Sequence, residues 1–137
     1  MDLHARISTS FSRQAMMQTF GARIDHVEAG RVTLSAPILP GSRQQQGLAH
    51  AALTFGLGDS AAGYAALTTL PEDSEIVTAE IKINLTAPAT GDRLVAQGRV
   101  VKPGKRLIVV TSEVYALTDG TKTLVAILQG TMVPVPA

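Results

Sequence analysis

One carboxylate stands alone in the most apolar part of this sequence. Between Glu28 and Glu72 the only acidic residue is Asp59. Burying an ionised carboxylate without partners is strongly unfavourable, and Asp is a poor residue for a helix interior because its side chain competes for backbone hydrogen bonds. Asp59 therefore faces solvent, caps a break at Gly56–Gly58, or serves as a catalytic group.

His50 is the nearest other side chain that could take part in proton transfer. It stands just inside the predicted start of the helix that carries Asp59, nine residues earlier. At about 100° per residue, nine residues place the two side chains on opposite faces of a helix. They cannot form a His–Asp pair within one chain, so a site that uses both needs a second subunit. The alternative for His50 is a structural hydrogen bond near the helix terminus.

Two other patterns in this segment fit less well. Residues 56–61 match the glycine pattern of dinucleotide-binding loops, but such a loop opens a helix, whereas this one lies inside the predicted helix. Ser60, with His50 or His26 as its base, could be a serine nucleophile, but the strand–turn–helix context of serine esterases is missing. The histidines lack metal-ligand spacing. We therefore expect no metal site and no cofactor.

Composition limits the classes of protein that this chain can represent. It is 45% hydrophobic and only 17% charged, with a formal net charge of +1 and no cysteine. These values exclude a disordered chain, a disulfide scaffold and a thiol nucleophile, and they give no electrostatic attraction to nucleic acid or an anionic membrane. The low charge also indicates either an unusually apolar surface or a surface that is largely buried against other copies of the chain.

The segment from Gly47 to Leu70 is apolar enough to be confused with a membrane span. It is built mainly from small residues, and its single charge, Asp59, lies midway. A carboxylate at the centre of a bilayer would cost about 2.5 kcal/mol or more. We therefore predict a buried helix from about Ala49 to Leu67. No signal peptide is apparent, so a cytoplasmic location without membrane contact is expected.

Strands are predicted on both sides of this helix. Turn signals at Lys102–Lys105 and Thr118–Gly120 make the later strands antiparallel neighbours. In the strand that follows the helix, Val77, Ala79 and Ile81 are predicted on one face, and Thr78 and Glu80 on the other. The predicted strands are residues 22–27, 31–36, 77–86, 93–101, 107–117 and 121–133.

The remaining features concern the helices. Glycines are costly inside a helix, so the helical residues Gly56, Gly58 and Gly63 predict close packing of the sheet on the helix. A short N-terminal helix is predicted from a cap at Ser8–Ser10 to about Thr19. The sequence thus predicts an α+β fold in one domain, residues 1–137, with one long central helix wrapped by an antiparallel sheet.

The central segment resembles the hotdog-fold acyl-CoA thioesterases. Residues 44–52 and 57–63 are similar to the central helix of that family and the loop before it, and residues 78–92 to its next strand and turn. The closest group is the PaaI-like and 4-hydroxybenzoyl-CoA thioesterase type. The resemblance spans residues 15–134 and implies a hotdog fold that hydrolyses an acyl-CoA to a carboxylic acid and free coenzyme A.

The resemblance also implies roles for individual residues. Asp59 matches the catalytic carboxylate, which acts as a general base or as a nucleophile. Gln44 matches the side chain that binds the thioester carbonyl or positions water, and the backbone N–H of Ala51 matches the oxyanion donor. His50 belongs to the same motif, and Ser60 lies near a position that helps to orient water in relatives.

The substrate and the assembly follow from the same resemblance. Four cations flank the hairpin turns and are candidates for binding the phosphates of coenzyme A: Arg93, Lys102, Lys105 and Arg106. The implied assembly is a homo-oligomer, a dimer or a dimer of dimers, with sites between subunits. His50 is followed by Ala51-Ala52 where the family has Gly-Gly, which keeps open a non-catalytic acyl-CoA-binding protein. Aryl and medium-chain acyl groups both fit.

Overall fold

The computed structural model describes residues 2–137. Its elements follow the order helix, helix, two strands, a long helix and four strands, which confirms the predicted α+β class. The helices are α1 (Leu3–Arg13), α2 (Ala15–Phe20) and α3 (Ala51–Leu67), and the strands are β1 (Arg23–Glu28), β2 (Arg31–Pro37), β3 (Ser74–Leu85), β4 (Arg93–Lys102), β5 (Ile108–Thr118) and β6 (Thr121–Pro136).

All six strands form one antiparallel sheet in the order β1-β2-β4-β5-β6-β3. Short turns account for most of this order, because a hairpin makes its two strands neighbours. At the β5–β6 turn Asp119 and Gly120 both have positive φ, 49° and 81°, as the tight hairpin turn requires. The edges of the sheet are β1 and β3, and the central strands β4, β5 and β2 pack under α3.

Helix α3 lies against the sheet at close range, as its glycines predict. A Cβ at Gly58 would press on Leu128 and Val114, and one at Gly63 would press on Ile76. The sheet contributes a glycine of its own, since a Cβ at Gly98 would collide with the backbone of Ala61. Within residues 2–137, no helix is long and apolar enough to cross a membrane.

The N-terminal helix differs from the prediction. Helix α1 begins at Leu3, where Asp2 accepts a hydrogen bond from the Ala5 amide at 2.7 Å, and a separate helix α2 follows after a break at Gln14. The predicted cap at Ser8–Ser10 is wrong because these residues lie inside the helix, where Thr9 donates back to the Ala5 carbonyl. Gly21 ends α2 in the left-handed conformation.

The predicted alternation along β3 is also wrong over part of its length. The pairing with β6 slips between Thr78 and Glu80, which makes Ala79 the extra residue of a β-bulge. A bulge reverses the faces that follow it. Ile76 and Thr78 therefore lie on the same side of the sheet as Ile81, facing α3. An uninterrupted two-residue alternation would have placed them on the opposite face from Ile81.

Candidate active site

Asp59 lies on the exposed side of α3 beside β3. Its carboxylate is half-buried, and Oδ1 accepts a hydrogen bond from the Thr78 hydroxyl at 2.8 Å. Burial raises the pKa of the Asp59 carboxyl above its ordinary value, and the hydrogen bond from Thr78 offsets part of this rise. Within residues 2–137, Oδ2 has no hydrogen-bond partner, so it is available to bind and deprotonate water.

Thr78 is a site residue that the sequence did not reveal. Strict alternation placed its side chain on the face of the sheet opposite to Ile81, and only the bulge at Ala79 turns it toward Asp59. Bulges are common next to active sites because they re-aim a side chain. Nothing in the β-branched and charged residues of this strand indicates where the extra residue falls.

A cleft of about 390 Å³ opens beside Asp59 and Thr78. Polar groups from the N-terminal helices and from α3 line it. Ser60 donates to Gln14 Oε1 at 3.2 Å, while Gln14 Nε2 and Ser10 both donate to the Tyr64 hydroxyl, at 3.0 and 3.3 Å. Ser60 has no histidine partner there, so the structure brings no support to the serine-nucleophile alternative.

His50 is the N-cap of α3. Its Nδ1 accepts a hydrogen bond from the Ala52 amide at 2.8 Å, so the proton of the neutral imidazole lies on Nε2. The ring lines a separate pocket with Phe20 and Leu53, away from Asp59. In the structure, His50 therefore makes the structural hydrogen bond at the helix terminus that was the alternative to a catalytic role.

Ala51 is the first residue of α3, and its amide is one of the donors that a helix leaves unpaired at its N-terminus. In the part of the chain that the structure describes, this N–H has no acceptor. The Ala51 N–H and the dipole of α3 are suited to an oxyanion.

Gln44 lies in the loop before α3 and lines a cleft together with Ala51. Its Oε1 accepts hydrogen bonds from the amides of Gln46 and Leu48, and its Nε2 donates to Gln46 Oε1 at 3.2 Å. Since a side-chain amide has two N–H donors, one N–H of Gln44 remains for a ligand. The structure thus brings Gln44 and Ala51 together.

Asp59 does not share that cleft. Ala51 and Asp59 are eight residues apart on α3, which corresponds to about 12 Å along the helix axis. A reacting carbonyl must lie about 3 Å from its oxyanion donor and from the attacking group. Gln44 and Ala51 of one chain therefore cannot act with Asp59 of that same chain on one thioester.

The predicted phosphate-binding cations fall into two separate places. Arg93 begins β4 and donates to the buried hydroxyl of Ser35 at 3.1 Å. Lys102, Lys105 and Arg106 are exposed at the opposite end of β4, about 30 Å away at the usual rise of a strand. The four cations cannot hold one coenzyme A within one chain.

Metal ligands are not clustered in this structure. Across residues 2–137, no group of three or more His, Asp or Glu side chains is placed to hold a metal ion. The expectation that the protein needs no metal or cofactor stays a prediction.

Sequence comparison places this chain in a known family of proteins. Residues 46–123 match the profile of the thioesterase superfamily, and the chain belongs to this family. The predicted hotdog thioesterase fold and the predicted enzyme class, a thioester hydrolase, are thereby confirmed.

Individual relatives agree with this assignment. The chain is 38% identical to a thioesterase family protein from Silicibacter pomeroyi, whose crystal structure superposes with a TM-score of 0.97 over 99% of this chain and 100% of that one. A putative esterase of Saccharolobus solfataricus, SSO1253, is 29% identical over 94% of this chain and 83% of its own. The Escherichia coli PaaI protein shares the fold, with a TM-score of 0.87, 19% identity and coverage of 98% and 94%.

Proposed function

We propose that this protein hydrolyses acyl-CoA thioesters, with Asp59 as the general base. The observation that carries the proposal is the half-buried Asp59 carboxylate, held through Oδ1 by Thr78 and facing a cleft through a free Oδ2. Burial raises the pKa of the Asp59 carboxyl, which makes Asp59 a stronger base than an ordinary Asp.

The reaction then proceeds in two steps. Asp59 Oδ2 takes a proton from water as the water oxygen attacks the thioester carbon. The negative charge that develops on the carbonyl oxygen is stabilised by the Ala51 N–H and by the remaining N–H of Gln44. The tetrahedral intermediate collapses by breaking the C–S bond, and the proton held by Asp59 passes to the leaving sulfur. The products are a carboxylic acid and free coenzyme A.

The distance between Ala51 and Asp59 supports a site shared by two copies of the chain. Strand β3 is the edge that suits such pairing, because it is 12 residues long and exposes Leu85 and Val77 by 58% and 49%. We propose that two chains associate along this edge, so that Asp59 of one copy faces Ala51 and Gln44 of the other. A dimer of two such dimers is the proposed complete assembly.

Phosphate binding is assigned to the β4–β5 hairpin. Lys102, Lys105 and Arg106 are exposed within one turn, where they suit the nucleotide end of coenzyme A. Neutralising all three should raise KM for an acyl-CoA and leave KM unchanged for the matching N-acetylcysteamine thioester, which has no nucleotide. An equal rise for both substrates would remove this assignment.

The test of the proposed function is thiol release from a panel of aryl and medium-chain acyl-CoAs. Wild type should release free coenzyme A well above the uncatalysed rate for at least one of them. Binding of acyl-CoAs without turnover would instead favour the non-catalytic acyl-CoA-binding alternative.

Mixing two inactive variants tests the shared site. Asp59→Asn keeps the oxyanion donor, and Ala51→Pro keeps the base. A mixed dimer therefore contains one intact site, and random exchange should restore about a quarter of wild-type activity, since half of the dimers are mixed and half of their sites are intact. No recovery, in a sample where mixed dimers are shown by mass spectrometry, would place the site within one chain.

A further inference from the structure

Gln14 takes no part in the proposed reaction steps, although its side chain lines the Asp59 cleft. It lies at the break between α1 and α2, where its extended backbone (ψ 94°) turns the side chain toward α3. Contacts with Ser60 and Tyr64, which are 46 and 50 positions away in sequence, occupy both ends of its amide.

The hydrogen bonds of this cluster restrict what Ser60 can do. A serine hydroxyl has one proton and two acceptor lone pairs. Ser60 donates that proton to Gln14 Oε1 at 3.2 Å. Any further partner of Ser60 Oγ in the cleft must therefore be a donor, such as water.

The amide of Gln14 is itself fixed by Tyr64. The Tyr64 hydroxyl accepts from Gln14 Nε2 at 3.0 Å and also from Ser10 at 3.3 Å. Tyr64 is only 7% exposed, and its ring contacts Phe11 with the centroids 6.2 Å apart. A buried phenol that receives two hydrogen bonds keeps the donor end of the amide toward itself, and this leaves the acceptor end for Ser60.

We propose that Gln14 is a positioning residue for hydrolysis, which acts by making Ser60 a hydrogen-bond acceptor for the attacking water. The inference rests on the proposed function. The water gives one proton to Asp59 and directs its second toward Ser60 Oγ, so that a lone pair points at the thioester carbon. Gln14 does not touch the substrate in this arrangement.

The test is a double-mutant cycle on Gln14→Met and Ser60→Ala, measured as kcat and KM for the best acyl-CoA. Gln14→Met keeps the length of the side chain and removes both hydrogen bonds. It should lower kcat roughly three- to tenfold, the value of one hydrogen bond, with KM little changed. In the Ser60→Ala background Gln14→Met should have no further effect on kcat, because there is no hydroxyl left to orient.

Gln18→Met is the matched control. Gln18 lies on α2, the helix that follows Gln14, and donates to the Ser12 carbonyl at 2.9 Å, outside the Asp59 cleft. The same substitution there should leave kcat and KM at wild-type values. Thermal melting of each variant gives the fraction of folded protein. Expressing kcat per folded molecule then separates a loss of folded protein from a loss of turnover.

Three results would overturn the role of Gln14: an unchanged kcat in Gln14→Met, a loss that is equal in the wild-type and Ser60→Ala backgrounds, or a change confined to KM. The Asp59→Asn variant distinguishes these from failure of the proposed function. If Asp59→Asn abolishes turnover while the cycle shows no coupling, only the inference on Gln14 fails. If Asp59→Asn is fully active, the proposed role of Asp59 as the general base fails.

Discussion

The two halves of α3 have the same small-residue composition but different surroundings. Every residue from Ala61 to Leu67 is buried, because the sheet, including its edge strand β3, and helix α1 enclose this half. In the half from Ala51 to Ser60, the side chains on one face are exposed or half-buried, among them Ala51, Phe55 and Asp59. The enclosed half stabilises the fold, and the open half carries the groups that can react.

This difference shows how one apolar helix serves two purposes. The closed half is fastened at its end by Arg6, which donates to the carbonyls of Leu67, Leu70, Pro71 and Ser74 at 2.6 to 3.2 Å. Among residues 2–137 the open half has no comparable anchor, and the first amide of α3 and Oδ2 of Asp59 have no hydrogen-bond partner. Substitutions in the open half should therefore change turnover, and those that release the closed half should change stability.

The largest effect is expected from Asp59→Asn. An amide cannot take a proton from water, so kcat should fall by about 10²- to 10⁴-fold. The measurement is steady-state thiol release per folded protein. Turnover within a factor of two of wild type would remove Asp59 from the mechanism.

The same variant should not lose stability. Because burial raises the pKa of Asp59 in the folded protein, the folded state binds this proton more tightly than the unfolded chain, and the contribution of Asp59 to stability falls as the pH rises through the raised pKa. Asp59→Asn removes the cost of the buried charge. Its Tm at pH 7 should equal or exceed that of wild type, and a marked decrease would give Asp59 a structural role.

Ala51→Pro should have the next largest effect. Proline is favoured at the first position of a helix, and His50 before it already has the extended backbone that proline requires (ψ 143°). The substitution removes the oxyanion donor with little change in Tm, and kcat should fall by about 10²- to 10³-fold.

Ala51→Val is the control for bulk at this position. It adds side-chain volume and keeps the N–H, so its kcat should stay well above that of the proline variant. Equal losses in both variants would assign the effect to crowding of the thioester.

In the closed half, Arg6→Met should lower the free energy of unfolding by about 2 kcal/mol, because charged hydrogen bonds to four carbonyls at the end of α3 are lost. Denaturant unfolding measures this change, and kcat per folded molecule should stay the same.

Arg13→Met on the same helix removes only an exposed ion pair with Glu75 at 3.8 Å, so it should cost about 0.5 kcal/mol or less. Similar losses for both would contradict the special role of Arg6.

The smallest effect is expected from Thr78→Val. It removes the hydrogen bond that lowers the pKa of Asp59, so that pKa should rise further. The acidic limb of the kcat–pH profile should move to higher pH, with a loss of kcat of roughly threefold to tenfold on the plateau. A profile that keeps its wild-type midpoint would show that Thr78 does not act on Asp59.

Much of the fold could be predicted because its signals are local. The hairpin at Asp119-Gly120 depends on a few adjacent residues, and the antiparallel order follows from short connections. The glycines of α3 predicted close packing because their cost in a helix is known without any partner. Asp59 was found in the same way, as a lone charge in an apolar segment.

The predictions that failed are those in which contacts with distant parts of the chain override a local sequence pattern. Ser8–Ser10 has the composition of a helix cap, but burial of Ile7 and the contacts of Arg6 extend α1 back to Asp2. The alternation along β3 is real on either side of Ala79, yet the bulge exchanges its faces. Neither the start of α1 nor the position of the bulge can be read from the few neighbouring residues that define a cap or an alternation.

By itself, the sequence determined the helix, the hairpins, the antiparallel sheet and the residue at the centre of the site. The tertiary structure decided which side chains surround Asp59. Thr78 and Gln14 come from segments 19 and 45 positions away, and they reach the same cleft only because a bulge and a helix break point them there. The physical reason is that backbone periodicity acts over a few residues, whereas hydrogen bonds between distant side chains form only after the elements have packed.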